Sequence, residues 1–257
     1  MWLDPRNGPE WDLPEPSGPV RSYVVASLPR TGSTLLCRTL WDSGLAGAPK
    51  EYLNPMQLRD WELRFGAQRY RPVRGPLLGL VGRLRWDEAR LRAHLDRVRR
   101  RRSSGGWFGL KLHGHHRERF FGQGGPEPLL GSVRWIHLVR RDHLDQAISW
   151  ARAEQTGRWS ELQREDLPPL YSRRRIQACL ERIEAQEAAW EAFFRRRSTS
   201  PLRLTCEDLV NDLPGAIERV LEHLEIPGRP PRLEAGSRPQ ADRINELWRR
   251  RFLTGRA

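Results

Sequence analysis

The stretch "YVVASLPRTGSTLLCRTL", residues 23–40, constrains this chain more than any other part of it. The apolar run Tyr23 to Ala26 leads into a loop carrying Pro29 and Gly32, and then into a helical pattern that Gly44 closes. A helix N-terminus entered this way offers unpaired N–H groups and a positive dipole end, which together make an anion site. Gly32 lets the backbone approach a ligand, Ser33 and Thr34 add hydroxyl donors, and Arg30 adds a fork of N–H groups. Against the phosphate-loop pattern G-x-x-x-x-G-K-[ST], the first glycine and the lysine are missing, which argues against ATP hydrolysis. Taken alone, the loop also fits a plain helix cap with Ser/Thr chemistry.

Strand and helix patterns then alternate. "WFGLKL" (107–112), "VRWIHLV" (133–139) and "LRLTC" (202–206) read as strands. Helices are expected near 55–64, after a cap at Asp87 (with Leu91, Leu95 and Val98 as a stripe), from Asp142, over 172–197, and in "DLPGAIERVLEHLEI" with Pro214 in the first turn. The stretches up to about residue 82 and between 113 and 132 read as Gly/Pro-punctuated connections. This order predicts an α/β, P-loop-like three-layer fold, a central parallel sheet with helices on both faces. Residues 1–20 read as an irregular leader and 21–257 as a single domain.

The net charge of +13 comes from 45 basic and 32 acidic residues, and Lys50 and Lys111 are the only lysines. The arginine runs at 99–102, 173–175, 195–197 and 249–251 read as solvated faces, and what survives is a preference for an anionic ligand. Cys37, Cys179 and Cys206 form no CxxC pair, which fits a reducing cytoplasm without disulfides or structural zinc. No signal peptide and no membrane span is expected.

A second motif completes the anion reading. In "VRRDHLDQAIS", Arg141 sits at a strand end and Ser149 about two turns into the next helix, both at the C-terminal edge of the sheet. Two separated anion sites suit a nucleotide with phosphates at its 5′ and 3′ positions, as in 3′-phosphoadenosine 5′-phosphosulfate (PAPS).

The chain resembles the bacterial trehalose 2-sulfotransferase-type sulfotransferases. The likeness runs in order through "YVVASLPRTGSTLLCRTLWDSGLAGAPKEYL", "WFGLKL", "RRDHLDQAISWARAEQTGRW", "AQEAAWEAFF" and "QADRINELWRRRF". It implies PAPS as sulfuryl donor, with Arg30, Thr31, Gly32, Ser33 and Thr34 on its 5′-phosphosulfate and Arg141 and Ser149 on its 3′-phosphate. It also implies a homodimer, a hydroxyl on a small-molecule or glycan acceptor, and Glu51 of "GLAGAPKEYL" as general base. Arg30 would assist catalysis by stabilising charge on the sulfuryl oxygens.

His113 competes for the base, because Lys111-Leu112-His113 resembles the K-x-H segment of cytosolic sulfotransferases. It is otherwise a substrate hydrogen-bonder or part of a His113, His115, His116 cluster, whose spacing is a poor metal motif. Two departures from the family bear on the acceptor. Leu28-Pro29 stands where the trehalose enzymes have a polar residue and a shorter loop, and Ala48 replaces an acidic residue of their sugar site. Both remove hydrogen-bonding groups, so the expected acceptor is another carbohydrate, a glycolipid or a related small molecule. A small-molecule kinase and a basic nucleic-acid-binding protein are the alternatives; no nucleic-acid-binding motif supports the second. At the C-terminus, an amphipathic closing helix packed through Ile244, Leu247 and Trp248 is expected; the alternative is that Arg243 or Arg250 reaches the cofactor's phosphate or adenine.

Overall fold

The computed structural model describes residues 4–65, 88–159, 168–228 and 243–255. Four strands, β1 (Arg21–Ser27), β2 (Trp107–His113), β3 (Val133–Val139) and β4 (Leu202–Thr205), form one parallel sheet in the order β2-β1-β3-β4. Its helices are α1 (Ser33–Asp42), α2 (Pro55–Phe65), α3 (Glu88–Arg102), α4 (Gly114–Phe121), α5 (Glu127–Leu130), α6 (His143–Thr156), α7 (Arg173–Arg196), α8 (Cys206–Asn211), α9 (Leu213–His223) and α10 (Arg243–Thr254).

Side chains alternate across β1 as a strand buried on both faces requires. Tyr23 and Val25 join Ile136, Leu138 and Leu204 beneath α1 and α9, which contribute Leu36, Leu40, Ile217 and Val220. Val24 and Ala26 face the other way, with Phe108, Leu110, Leu112 and Trp135, against α3, α6 and α7. Trp135, Trp190, Phe193 and Phe194 pack as one aromatic group, with ring centroids 5.1–5.8 Å apart. Each such buried side chain contributes about 2–3 kcal/mol by removing its surface from water. The result is three layers around the predicted parallel sheet.

The helices after β1 and β3 lie on opposite faces: α1 packs in one core and α6 in the other. Because β1 and β3 are neighbours, a crevice opens between their C-terminal ends, the place where α/β sheets bind ligands. The register brings the ends of β1 and β2 level as well, pairing Val25 with Lys111 and Ser27 with His113.

Several local readings change. The connection after β2 contains α4 and α5, and Cys206 opens α8 instead of ending β4. The reason is a capping box: the Thr205 hydroxyl accepts from the Asp208 N–H, and the Asp208 carboxylate accepts from the Thr205 N–H. Asp142, Ser172 and Asp212 cap α6, α7 and α9. On α10, Trp248 is buried with Asn245, while Ile244 and Leu247 are 37% and 53% exposed, so the expected apolar stripe reduces to one tryptophan. Arg102 is fully buried, against the reading of its run as solvated, because it bonds the Gly8 and Trp11 carbonyls. The expected cap at Asp87 and the loops over 66–82 lie outside the described residues.

Candidate active site

The loop between β1 and α1 turns through two left-handed residues, Arg30 (φ 67°) and Gly32 (φ 79°). Gly32 suits the position twice over, since a Cβ there would also sit 3.2 Å from the Cys206 thiol. For Arg30 this backbone costs on the order of 1 kcal/mol or more, and neighbouring side chains hold it in place. The Gln146 amide donates to the Pro29 carbonyl at 2.9 Å, Arg140 to the Arg30 carbonyl at 3.3 Å, and the Thr31 hydroxyl to the Leu28 carbonyl at 2.9 Å. Ser33 and Thr34 follow as the first residues of α1, so the loop presents the start of that helix to the crevice.

The lysine absent from the loop arrives from the neighbouring strand. Lys111, third from the end of β2, donates to the Thr34 hydroxyl at 3.1 Å and pairs with Glu51 at 2.7 Å. The same carboxylate oxygen lies 3.2 Å from His113 Nε2, while the other accepts from the Asn54 amide at 2.8 Å. His113 Nδ1 lies 3.1 Å from the Ser27 hydroxyl. Thr34, Lys111, Glu51, His113 and Ser27 thus form one unbroken hydrogen-bonded chain across the ends of β1 and β2. Burial pushes the Glu51 carboxyl up, but Lys111, His113 and His116 together outweigh it and hold it well below the usual carboxylate range. Behind it, burial drives His116 down to about 2, with His115 and His113 adding to the effect, so its ring is neutral.

A second group forms the rim, where the loops after β1 and β3 meet. Arg30 Nε donates to the Ser149 hydroxyl at 2.8 Å, and its Nη1 donates to the Trp159 carbonyl at 2.7 Å. Burial, with the charges of Arg140, Arg152 and Arg158 acting in the same direction, lowers the Arg30 guanidinium to about 10. Four guanidinium groups at such close quarters repel one another, a cost that a bound polyanion relieves. Arg140 pairs with Asp145, and Arg152 donates to Asn245 of α10 at 2.6 Å. Arg141 is placed differently. Its side chain is 67% exposed and pairs with Asp208 at 3.1 Å, while its N–H donates to Glu207.

Of the residues singled out from sequence, Arg30, Thr31, Gly32, Ser33 and Thr34 lie together on the loop, with Ser149 bonded to Arg30 and Glu51 bonded to His113. Arg141 is turned toward α8, where it pairs with Asp208, and Ser149 is bonded by Arg30 instead. Sequence reasoning missed Lys111, Asn54, Arg140 and Arg152 as members of the site. Lys111 had a signal, as one of two lysines in an arginine-rich chain, lying just inside the end of a strand; the others had none. Arg243 and Arg250 are both on α10. Among the described residues, no group of three or more His, Cys, Asp or Glu side chains is arranged to hold a metal ion. No described helix is long and apolar enough to cross a membrane, and all three cysteines are free thiols.

The chain is similar to known proteins along most of its length. Residues 22–254 match the Stf0 sulphotransferase family. A trehalose 2-sulfotransferase of Mycolicibacterium smegmatis is 26% identical over 257 residues, covering 90% of this chain and 94% of the relative. A second, from Mycobacterium tuberculosis, is 25% identical over 91% of this chain and 94% of its own. Among solved structures, the sulfotransferase domain from the curacin biosynthetic pathway aligns with a TM-score of 0.49 and 15% identity, over 86% of this chain and 79% of that one.

Proposed function

The chain belongs to the Stf0 sulphotransferase family, and from that premise we propose that it moves a sulfuryl group from PAPS to a hydroxyl of a carbohydrate, glycolipid or related small molecule. The observation that carries this reading is the hydrogen-bonded chain from Thr34 through Lys111 and Glu51 to His113. It joins an anion loop to a buried carboxylate with no gap between them.

The residues present fit the donor. The loop from Arg30 to Thr34 and the start of α1 suit the 5′-phosphosulfate. The rim of Arg30, Arg140, Arg152 and Ser149 suits a second phosphate, with Arg141 at its outer edge. In the reaction the acceptor oxygen bonds to sulfur as the bond from sulfur to the 5′-phosphate oxygen breaks, and adenosine 3′,5′-bisphosphate leaves. The acceptor proton passes to the Glu51 carboxylate. Lys111 and Arg30 stabilise charge on the sulfuryl oxygens and on the departing phosphate.

Glu51 is the better base. Both His113 ring nitrogens have partners, whereas a carboxylate has about four lone-pair positions and Glu51 uses three. His113 then orients the carboxylate. Lys111 couples the two halves of the reaction: when it turns to the donor's oxygens, Glu51 loses its strongest cationic partner and becomes more basic. The acceptor class follows the sugar named for the two relatives, and Leu28-Pro29 and Ala48 argue for an acceptor other than trehalose. The same reading places the enzyme in the cytoplasm as a homodimer, which localisation by microscopy and sedimentation would check.

Thermal shift with adenosine 3′,5′-bisphosphate, ATP and DNA tests the class. Stabilisation by the bisphosphate alone is expected, since a ligand at 100 times its Kd adds about 2.7 kcal/mol. Stabilisation by ATP without the bisphosphate would favour the kinase alternative. Mass spectrometry of products from PAPS and a panel of sugars and glycolipids would then name the acceptor.

A further inference from the structure

Residues 4–12, ahead of the matched span, do not merely lie on the surface. They form two 3-10 turns, Pro5–Asn7 and Pro9–Trp11, that close around the other lysine. Lys50 Nζ pairs with Asp4 at 2.6 Å and donates to Asn7 Oδ1 at 2.6 Å. The Asn7 amide donates to Asp60 of α2 at 2.6 Å, and the Asp4 N–H donates to the same Asp60 oxygen at 3.2 Å. Asn7 is fully buried, as is Arg102, which bonds the Gly8 and Trp11 carbonyls and lies 3.3 Å from Asp12. Arg64 of α2 bonds the Asn7 carbonyl and pairs with Asp12. A polar network this deep is worth keeping only if nearly every member is satisfied.

Lys50 is also the residue before Glu51. Its carbonyl accepts from the Lys111 N–H at 3.0 Å, and Lys50 bridges to Leu110 as a one-residue extension of the sheet beside β2. The strap therefore grips one end of a two-residue lever, and the other end carries the carboxylate that meets Lys111 and His113. The strap's hydrogen bonds to Lys50, Asp60, Arg64 and Arg102 all lie outside the anion loop and the arginine rim.

We propose that residues 4–12 are a positioning strap for the general base: Asp4 and Asn7 hold Lys50, and through it they fix Glu51 against Lys111 and His113. Asp4, Asn7 and Lys50 are positioning residues for transfer, not for donor binding. Burial lowers the Lys50 ammonium to about 8, opposed by Asp4 and Asp60 and aided by Arg102, so the grip is strongest below that pH. Without the strap, Glu51 keeps its side-chain bonds and the backbone bonds from Lys111 N–H to the Lys50 carbonyl and from Asn54 N–H to its own carbonyl, but the Lys50 side chain loses its anchor. The proposal rests on Glu51 being the base.

The test uses the full chain with Asn7→Ala, Asp4→Asn, Lys50→Met and Glu51→Gln, alone and with Asn7→Ala combined with Glu51→Gln. Hydrogen exchange needs no acceptor. The Lys111 amide, bonded to the Lys50 carbonyl, is expected to exchange at least about tenfold faster in Asn7→Ala and Lys50→Met, while amides shared by β1 and β3 keep their rates. Turnover with PAPS and trehalose, glucose or octyl glucoside is expected to fall about tenfold or more in each strap variant, with the Kd for adenosine 3′,5′-bisphosphate within about twofold of the parent. The double variant should be no slower than Glu51→Gln alone, because the strap acts through that carboxylate. Unchanged Lys111 exchange, or losses that multiply in the double variant, overturn the strap. Full activity in Glu51→Gln would instead overturn the base assignment, so the two failures are separable. Should Asn7→Ala fail to fold, Asp4→Asn, at a partly exposed position, reads the same exchange.

Discussion

The inner chain and the rim solve different problems with different cations. Around Glu51 the close cation is an ammonium, Lys111 at 2.7 Å, with His113 at 3.2 Å beside it. Around Arg30 the cations are guanidinium groups, one of which, Arg30, bonds Ser149, and another, Arg152, reaches α10. In a chain with 45 basic residues and two lysines, one lysine pairs with the Glu51 carboxylate and the other precedes it in sequence. An ammonium is a compact charge on a flexible stem and can transfer from one oxygen to another, whereas a guanidinium is a rigid planar fork that holds a phosphate in place. On the proposed mechanism chemistry and binding divide along the same line: the buried ammonium beside Glu51 can switch partners, and the guanidinium rim stays put.

If that division holds, variants of the inner chain should lower turnover and spare binding. Glu51→Gln should have the largest effect, reducing kcat by about 10²–10⁴-fold while leaving affinity for adenosine 3′,5′-bisphosphate unchanged by calorimetry. Full activity there together with loss in His113→Ala would move the base to His113. Lys111→Met comes next, at about 10²–10³-fold in kcat, the range for removing one preorganised charge-stabilising donor. Lys111→Arg should rescue it poorly, because a planar fork does not fit between the Thr34 hydroxyl and Glu51 as a point charge does. Rescue to parental rates would erase the distinction between lysine and arginine on which the comparison rests.

Rim variants should do the opposite. Arg30→Ala removes bonds to Ser149 and the Trp159 carbonyl as well as the charge proposed to face the donor's phosphates, so bisphosphate affinity should fall by about 10–100-fold, the range for a charged hydrogen bond. Acid stability sharpens the contrast from the other side. The Glu51 carboxyl is held below its ordinary range, so its pairing stabilises the fold above the unfolded-state value of about 4.3 and loses that contribution as pH falls through the depressed folded value. Thermal melts of the parent and of Glu51→Gln should therefore differ near neutrality and converge as the solution is made strongly acidic.

How much of this was legible in the sequence follows from range. The sheet, α1, α6, α7 and α9 were readable because period-two and helical patterns and caps such as Asp142 and Ser172 act within a few residues. The loop was readable because Gly32, Ser33 and Thr34 are consecutive. The α4 and α5 helices were hidden by the glycines around them, and the start of α8 by Cys206, which "LRLTC" reads as the end of a strand. The inner chain was half visible. Lys111 lies 77 residues from Thr34, and only strand pairing brings them together. The role of Asn7 was invisible, since an asparagine in a Pro-rich leader has no pattern to mark it as buried 43 residues away from Lys50.

The smallest effect belongs to Arg141→Ala, and it probes the rim's outer limit. Sequence spacing pairs Arg141 with Ser149, but the structure pairs Ser149 with Arg30 and turns Arg141 to Asp208 on an exposed surface. An exposed ion pair of this kind contributes about 0–1 kcal/mol, so folding stability should barely change. To serve the 3′-phosphate, Arg141 must leave Asp208, and breaking so weak a pair costs little. A loss of bisphosphate affinity of about fivefold is therefore expected by calorimetry, smaller than for Arg30→Ala. The loss should shrink as salt is raised, because an exposed charge is screened over about 8–10 Å at ordinary ionic strength. Asp208→Asn gives the converse check: freeing Arg141 from its resting partner should tighten bisphosphate binding slightly. If neither variant moves the affinity, the second phosphate belongs to Arg30, Ser149 and their neighbouring arginines alone, and the rim ends short of Arg141.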